Sequence, residues 1–279
     1  MTFTSNETET KHRLDLLREY MTKNVLTSEG SFVCKHAQAC KRSARACEPN
    51  RCFFEGQLSY IGNHYDLSEN GRALRILIIP MDTGHGPSLV TLETRRQQVD
   101  RVKVQDNRNQ HMWGTVLALR LAVGRESGKD SEGELLEVDV DGTKRAVHLF
   151  DCYAMANVRL CSATVAGSRE SKGTRNMSWN CLRHLEATIN VLKPNLCIVQ
   201  GSGVTTDIDT APGSPFRRRE QITDTLALLH LNGREMLFAT FRHPSRNWFW
   251  PEAPYLRDIV APTIHKAREE LGLPVMPVH

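Results

Sequence analysis

The chain lacks any run of about 18 consecutive apolar residues, the length a helix needs to cross a bilayer, and its first 24 residues are polar and charged, without an apolar core of the signal-peptide kind. These absences set the expectation of a cytoplasmic protein with no membrane span. The chain also lacks a strong charge of either sign: 36 Lys and Arg stand against 32 Asp and Glu, a net +4. That balance permits binding to an acidic polymer without pointing to one. No internal repeat and no low-complexity segment interrupts it. With 279 residues and 40% hydrophobic content, the chain is long enough to bury a sizeable core as one large domain.

What it does have is cysteine. Four of its eight cysteines, Cys34, Cys40, Cys47 and Cys52, fall within nineteen residues. In a reducing compartment such clustering reads as metal or cluster ligation rather than disulfides. Cys152 and Cys197 sit inside apolar segments and read as small core residues.

Apolar residues at helical spacing predict an N-terminal helix over Thr10 to Val25, ahead of a ligand loop from Cys34 to Cys52. Continuous apolar runs predict buried parallel strands at Arg75 to Met81, Val147 to Val158, Leu196 to Gly201 and Glu235 to Phe241. Helical patterns lie at Met112 to Val123, Met177 to Leu192, Gln221 to Leu231 and Tyr255 to Leu271, and Arg125 to Arg145 reads as a surface turn or hairpin. Alternating strands and helices imply an α/β fold: a doubly wound α/β/α sandwich with a central, mostly parallel four-stranded sheet, its site at the carboxyl ends of the strands. Residues 1–73 are expected to form an N-terminal helix and cysteine-rich segment packed on a main domain of residues 74–279.

Three segments, in order, carry a family resemblance. Cys181-Leu-Arg-His through Lys193-Pro to Gly201 resembles the helix, turn and apolar strand of the iron–sulfur uracil-DNA glycosylases, in which a cluster cysteine opens the helix. Asn157-Val-Arg-Leu-Cys161 is similar to their N-V-x-K-C strand end, and Arg242-His-Pro-Ser-Arg246 to the superfamily's H-P-S motif. The first motif departs from the cluster-bearing families: Pro80-Met-Asp-Thr-Gly-His85 looks more like the G-Q-D-P-Y-H of the cluster-free enzymes, with Asp82 and His85 on its Asp and final His.

The resemblance implies roles for particular residues. Asp82 stabilises positive charge on the sugar and orients or activates water, the alternative being a helix cap. His243 donates to the base oxygen that gains charge, the alternative being a surface-loop histidine. Asn157 pairs with a flipped pyrimidine, the alternative being a buried, backbone-satisfied amide. Gly84 stands where the cluster-free enzymes carry a Tyr against position 5 of the base, so the pocket is expected to be wider; His85 of the same motif is a base-binding candidate, and His111 and Trp113 are the nearest rings in the stretch that matches the cluster-bearing families' stacking aromatic. Ser245, Arg246, Asn247, Trp248 and Phe249 form a DNA-contacting loop, and Arg217, Arg218 and Arg219 form a basic run for the DNA backbone or a solvated face. Cys161 and Cys181, with Cys47 and Cys52 nearest the expected place for the other two, are the ligand set for a [4Fe–4S] cluster. A structural zinc site made from Cys34, Cys40, Cys47 and Cys52 competes with it.

The implied function is a monomeric, monofunctional DNA N-glycosylase that removes uracil or a bulky 5-modified pyrimidine, such as a phage-type hypermodified cytosine, and leaves an abasic site, in repair or antiviral defence. No Lys is placed by the motifs to form a Schiff base, so no lyase step is expected. The competing reading is a non-catalytic metal-cluster protein that binds DNA or nucleotides.

Overall fold

The computed structural model describes residues 2–48, 50–84, 86–103, 108–165, 167–168, 170–244, 250 and 253–275. Among the described residues, fourteen short strands follow in chain order. The first seven are β1 (Phe3–Ser5), β2 (Cys52–Phe54), β3 (Tyr60–Ile61), β4 (Leu67–Glu69), β5 (Arg72–Ala73), β6 (Ile76–Pro80) and β7 (Leu135–Val140). The rest are β8 (Thr143–His148), β9 (Tyr153–Met155), β10 (Ser162–Thr164), β11 (Leu196–Gln200), β12 (Arg219–Thr223), β13 (Leu226–Leu231) and β14 (Arg234–Phe241). The helices are α1 (Glu7–Asn24), α2 (Ala37–Cys47), α3 (Leu92–Lys103), α4 (Gln110–Ala122), α5 (Arg175–Leu192), α6 (Ser202–Thr210) and α7 (Ala261–Glu270).

The main sheet has seven strands in the order β12-β13-β14-β11-β6-β9-β3, not four. Its middle is parallel, β11 pairing with β14 and β6, and β6 with β9. Antiparallel strands extend both edges. Side chains alternate across it: Ile76, Ile78, Leu196 and Ile198 face one core with α4 and α7, while Leu77, Ile79, Cys197 and Val199 face a second core with α1 and α5. This is the two-sided burial that makes central strands read as unbroken apolar runs. A five-stranded sheet, β5-β4-β1-β7-β8, lies beside it. There β1 pairs with β4 and in parallel with β7, so the first residues of the chain are tied to the Leu135–His148 hairpin.

Two local expectations are corrected. The helix over Gln221 to Leu231 is instead the hairpin partner of β14, with β12 and β13 joined at Asp224 and Thr225. Asn232 (φ 51°) and Gly233 (φ 75°) make the left-handed two-residue turn into β14, a geometry that Asn-Gly adopts readily and a helix would not need. The supposed loop from Cys34 to Cys52 contains α2, whose Ala-, Lys- and Arg-rich sequence favours helix and which buries Cys40 and Ala44.

Among the described residues no helix is long and apolar enough to cross a membrane.

Candidate active site and cysteine cluster

The site is built where β6, β9 and β14 end. After β9 the chain runs on beside β6: Ala156 N–H donates to Ile78 O, Val158 N–H to Pro80 O and Arg159 N–H to Met81 O. That pairing holds Asn157 and Arg159 against the loop Met81 to Gly84. Asn157 is buried, and its Nδ2 donates to Thr83 Oγ1 at 3.1 Å.

Asp82 does not cap a helix, since α3 begins only at Leu92. Its Oδ1 accepts from Gly84 N–H at 2.8 Å, closing a tight local turn. Its Oδ2 accepts from Ser171 Oγ at 2.5 Å and pairs with Arg159 Nη2 at 2.8 Å, and the carboxylate is 2% exposed. Gly173 lies so close to the Arg159 guanidinium that an added Cβ would collide with it, which ties the Ser171–Gly173 segment to this ion pair. Gly84 itself stands at φ 66°, in the region that favours glycine.

His243, at the end of β14, is exposed. Loss of water around its ring holds the imidazole below its ordinary pKa, and the charge of Asp82 acts in the opposite direction. His111, on the first turn of α4, stacks on it with ring centroids 5.8 Å apart and planes at 22°. Trp113 packs on the core beneath the Arg108 guanidinium, 5.4 Å from its ring centroid, so His111 is the ring that reaches His243. Burial and the neighbouring His243 push His111 down to about 4. In the unfolded chain an imidazole titrates near 6.5, so between these values the unfolded state holds a proton that the folded state refuses, and acidification across that window costs stability. Allowing for partial exposure, the loss should be about 1–2 kcal/mol. The melting temperature of His111→Phe should therefore fall less steeply than wild type from pH 6.5 to 4; parallel curves would exclude His111 as the source.

Sequence reasoning missed Arg159, Ser171 and Thr83 as site residues. Arg159 is inside the quoted Asn157–Cys161 segment, but nothing in a sequence says that it faces Asp82. His85, Ser245, Arg246, Asn247, Trp248 and Phe249 lie outside the described residues. The basic run is largely spent internally: Arg217 donates to the carbonyls of Asp209 and Ala211, and Arg219 pairs with Asp209.

No protein-family model and no curated protein matches the chain. All eight are free thiols. Cys40 from α2, Cys161 before β10 and Cys181 in α5 are buried, and Cys34 lies beside them, 3.8 Å from His184 Nε2. Each pair among these four sulfurs interacts electrostatically. Burial raises the thiols of Cys40, Cys161 and Cys181, the last to about 12. Asn180 Nδ2 donates to Cys40 Sγ at 3.4 Å. Cys47 and Cys52 are exposed. Cys40 and Cys47 are both on α2, seven residues apart and so roughly 10 Å along the axis at about 1.5 Å per residue. Two ligands of one zinc ion stand only about 3.8 Å apart in a tetrahedron with bonds near 2.3 Å, so the zinc set of Cys34, Cys40, Cys47 and Cys52 does not form on this helix. Among the described residues, no group of three or more His, Cys, Asp or Glu could hold a metal ion.

Proposed function

We propose that the chain is a monofunctional DNA glycosylase of the uracil-DNA glycosylase superfamily. The observation that carries this reading is the convergence of four residues from three distant segments, Asp82 and Thr83, Asn157, and His243, just past the carboxyl ends of β6, β9 and β14. A flipped pyrimidine fits this convergence. Asn157 keeps its Oδ1 and one amide hydrogen for the edge of the base, and His243 is placed to donate to an oxygen of the departing ring. With three donors on its carboxylate, Asp82 acts as a fixed negative charge beneath the sugar as oxocarbenium character builds, rather than as a proton acceptor for water. Water then adds to C1′ and releases its proton to solvent.

Cys34, Cys40, Cys161 and Cys181 are the set for a [4Fe–4S] cluster: four free thiols, of which Cys34 adds to the cost of ionising each of the other three, and thiolates are what such a cluster takes as ligands. The cluster's contribution is structural, cross-linking α2, the Asn157–Cys161 segment and α5, and so holding Asn157 in place. DNA is the partner.

Mass spectrometry of bases released from uracil-containing and hypermodified phage DNA tests the reading. A released base with an abasic site left behind is the expected result; DNA bound with no base released from any substrate would sink it. Gly84 leaves the wall at position 5 open, so pyrimidines larger than uracil should be accepted. Gly84→Asn, a residue that tolerates the left-handed backbone, should suppress release of the larger base more than that of uracil. Equal suppression of both would remove Gly84 from selectivity.

A further inference from the structure

Arg13, Arg120, Arg159 and Arg268 are buried, and each pairs with a carboxylate: Asp66, Asp130, Asp82 and Glu69 respectively. Arg95, on the first turn of α3, is equally buried at 5% exposure and has no such partner among the described residues. Its Nε donates to Leu58 O at 3.1 Å, its Nη1 to Gln98 Oε1 at 2.8 Å and its Nη2 to Thr83 Oγ1 at 3.1 Å, all of them uncharged acceptors. Burial without a counter-charge is costly, and it lowers this guanidinium to about 10. The cation stands next to the site loop, where Arg159 already balances Asp82.

Thr83 is the group between. Its Oγ1 accepts from Arg95 and from Asn157, which occupies both lone pairs. What remains is the hydroxyl hydrogen, and no acceptor for it occurs among the described residues. A hydroxyl whose oxygen is bonded by a guanidinium is a strengthened donor. We propose that Thr83 donates this hydrogen bond to an oxygen of the pyrimidine as it leaves as an anion, and that Arg95 is a positioning residue supplying positive charge through it. The inference rests on the glycosylase reading. When the C1′–N1 bond breaks, its electron pair stays with the base and spreads onto the ring oxygens; Thr83 meets that charge without giving up its proton.

The test uses the full chain and free 5-nitrouracil, whose ionised and neutral forms differ in absorbance. Wild type should bind the ionised form more tightly than the neutral one. Thr83→Val, close to the same shape, and Arg95→Met should each weaken anion binding roughly tenfold or more while changing neutral uracil binding less, and Thr83→Ser should restore it. Because Arg95→Met alone could simply loosen α3, the Thr83 variants decide. Equal binding of both forms by wild type, no binding of either, or wild-type affinity in Thr83→Val would overturn the inference. Base release at the wild-type rate in Thr83→Val would likewise remove it while leaving the glycosylase reading intact. Anion binding lost in Thr83→Val, with no base released by wild type from any DNA, would overturn the glycosylase reading and with it the leaving-base role, reducing Thr83 to a donor towards a bound pyrimidine anion.

Discussion

Asp82→Asn and His243→Ala should each lower single-turnover base release by roughly 10²-fold or more, with the fold retained. The Asp82 effect follows from its surroundings. The carboxylate accepts from Gly84 N–H, Ser171 Oγ and Arg159 Nη2. An amide in its place loses the negative charge and turns an N–H₂ towards groups that are themselves donors. The charge that would have offset the sugar cation disappears, and Arg159 is left as a buried cation without a partner. His243→Ala instead removes a donor at an exposed position, so its stability cost should be small. That difference separates the two roles: His243→Ala lowers the rate with little change in melting temperature, whereas Asp82→Asn lowers both. Wild-type rates in both variants would take these residues out of the mechanism.

The legibility of the fold in the sequence divided along a physical line. The unbroken apolar runs at Ile76–Pro80 and Leu196–Gln200 were readable as buried parallel strands because both faces of those strands are covered. The edge of the same sheet was not. The segment from Gln221 to Leu231 matches helical spacing about as well as strand alternation, and only the Asn232-Gly233 turn, placed after it, marks a hairpin. The cysteine-rich segment read as a loop because clustered cysteines commonly sit in ligand loops, although the Ala-, Lys- and Arg-rich sequence of α2 favours helix. In the site, Asp82, Asn157 and His243 were legible as residue types at strand ends. Their supports were not: Arg159 to Asp82, Arg95 to Thr83 and Ser171 to Asp82 join residues 12 to 89 positions apart, and no local pattern encodes such pairings.

Serine at Cys34, Cys40, Cys161 or Cys181 should each abolish the brown colour and absorbance at about 400 nm of anaerobically purified protein, whereas Cys47→Ser and Cys52→Ser should keep both. The reasoning is positional. Cys161 and Cys181 are fixed and buried by elements of the main fold, the segment after β9 and the helix α5. Of the N-terminal thiols, Cys34 and Cys40 add to the cost of ionising Cys161 and Cys181, while Cys47 and Cys52 are at the surface. Because burial raises the thiols of Cys40, Cys161 and Cys181, loading must release protons, so reconstitution from iron and sulfide should be more complete at higher pH. Losing the cluster should also free the Asn157–Cys161 segment from α5, so base release should fall in the cluster-less variants even though no cysteine touches the base. Stoichiometric zinc without iron, or loss of colour in Cys47→Ser and Cys52→Ser but not in Cys34→Ser and Cys40→Ser, would overturn this ligand set.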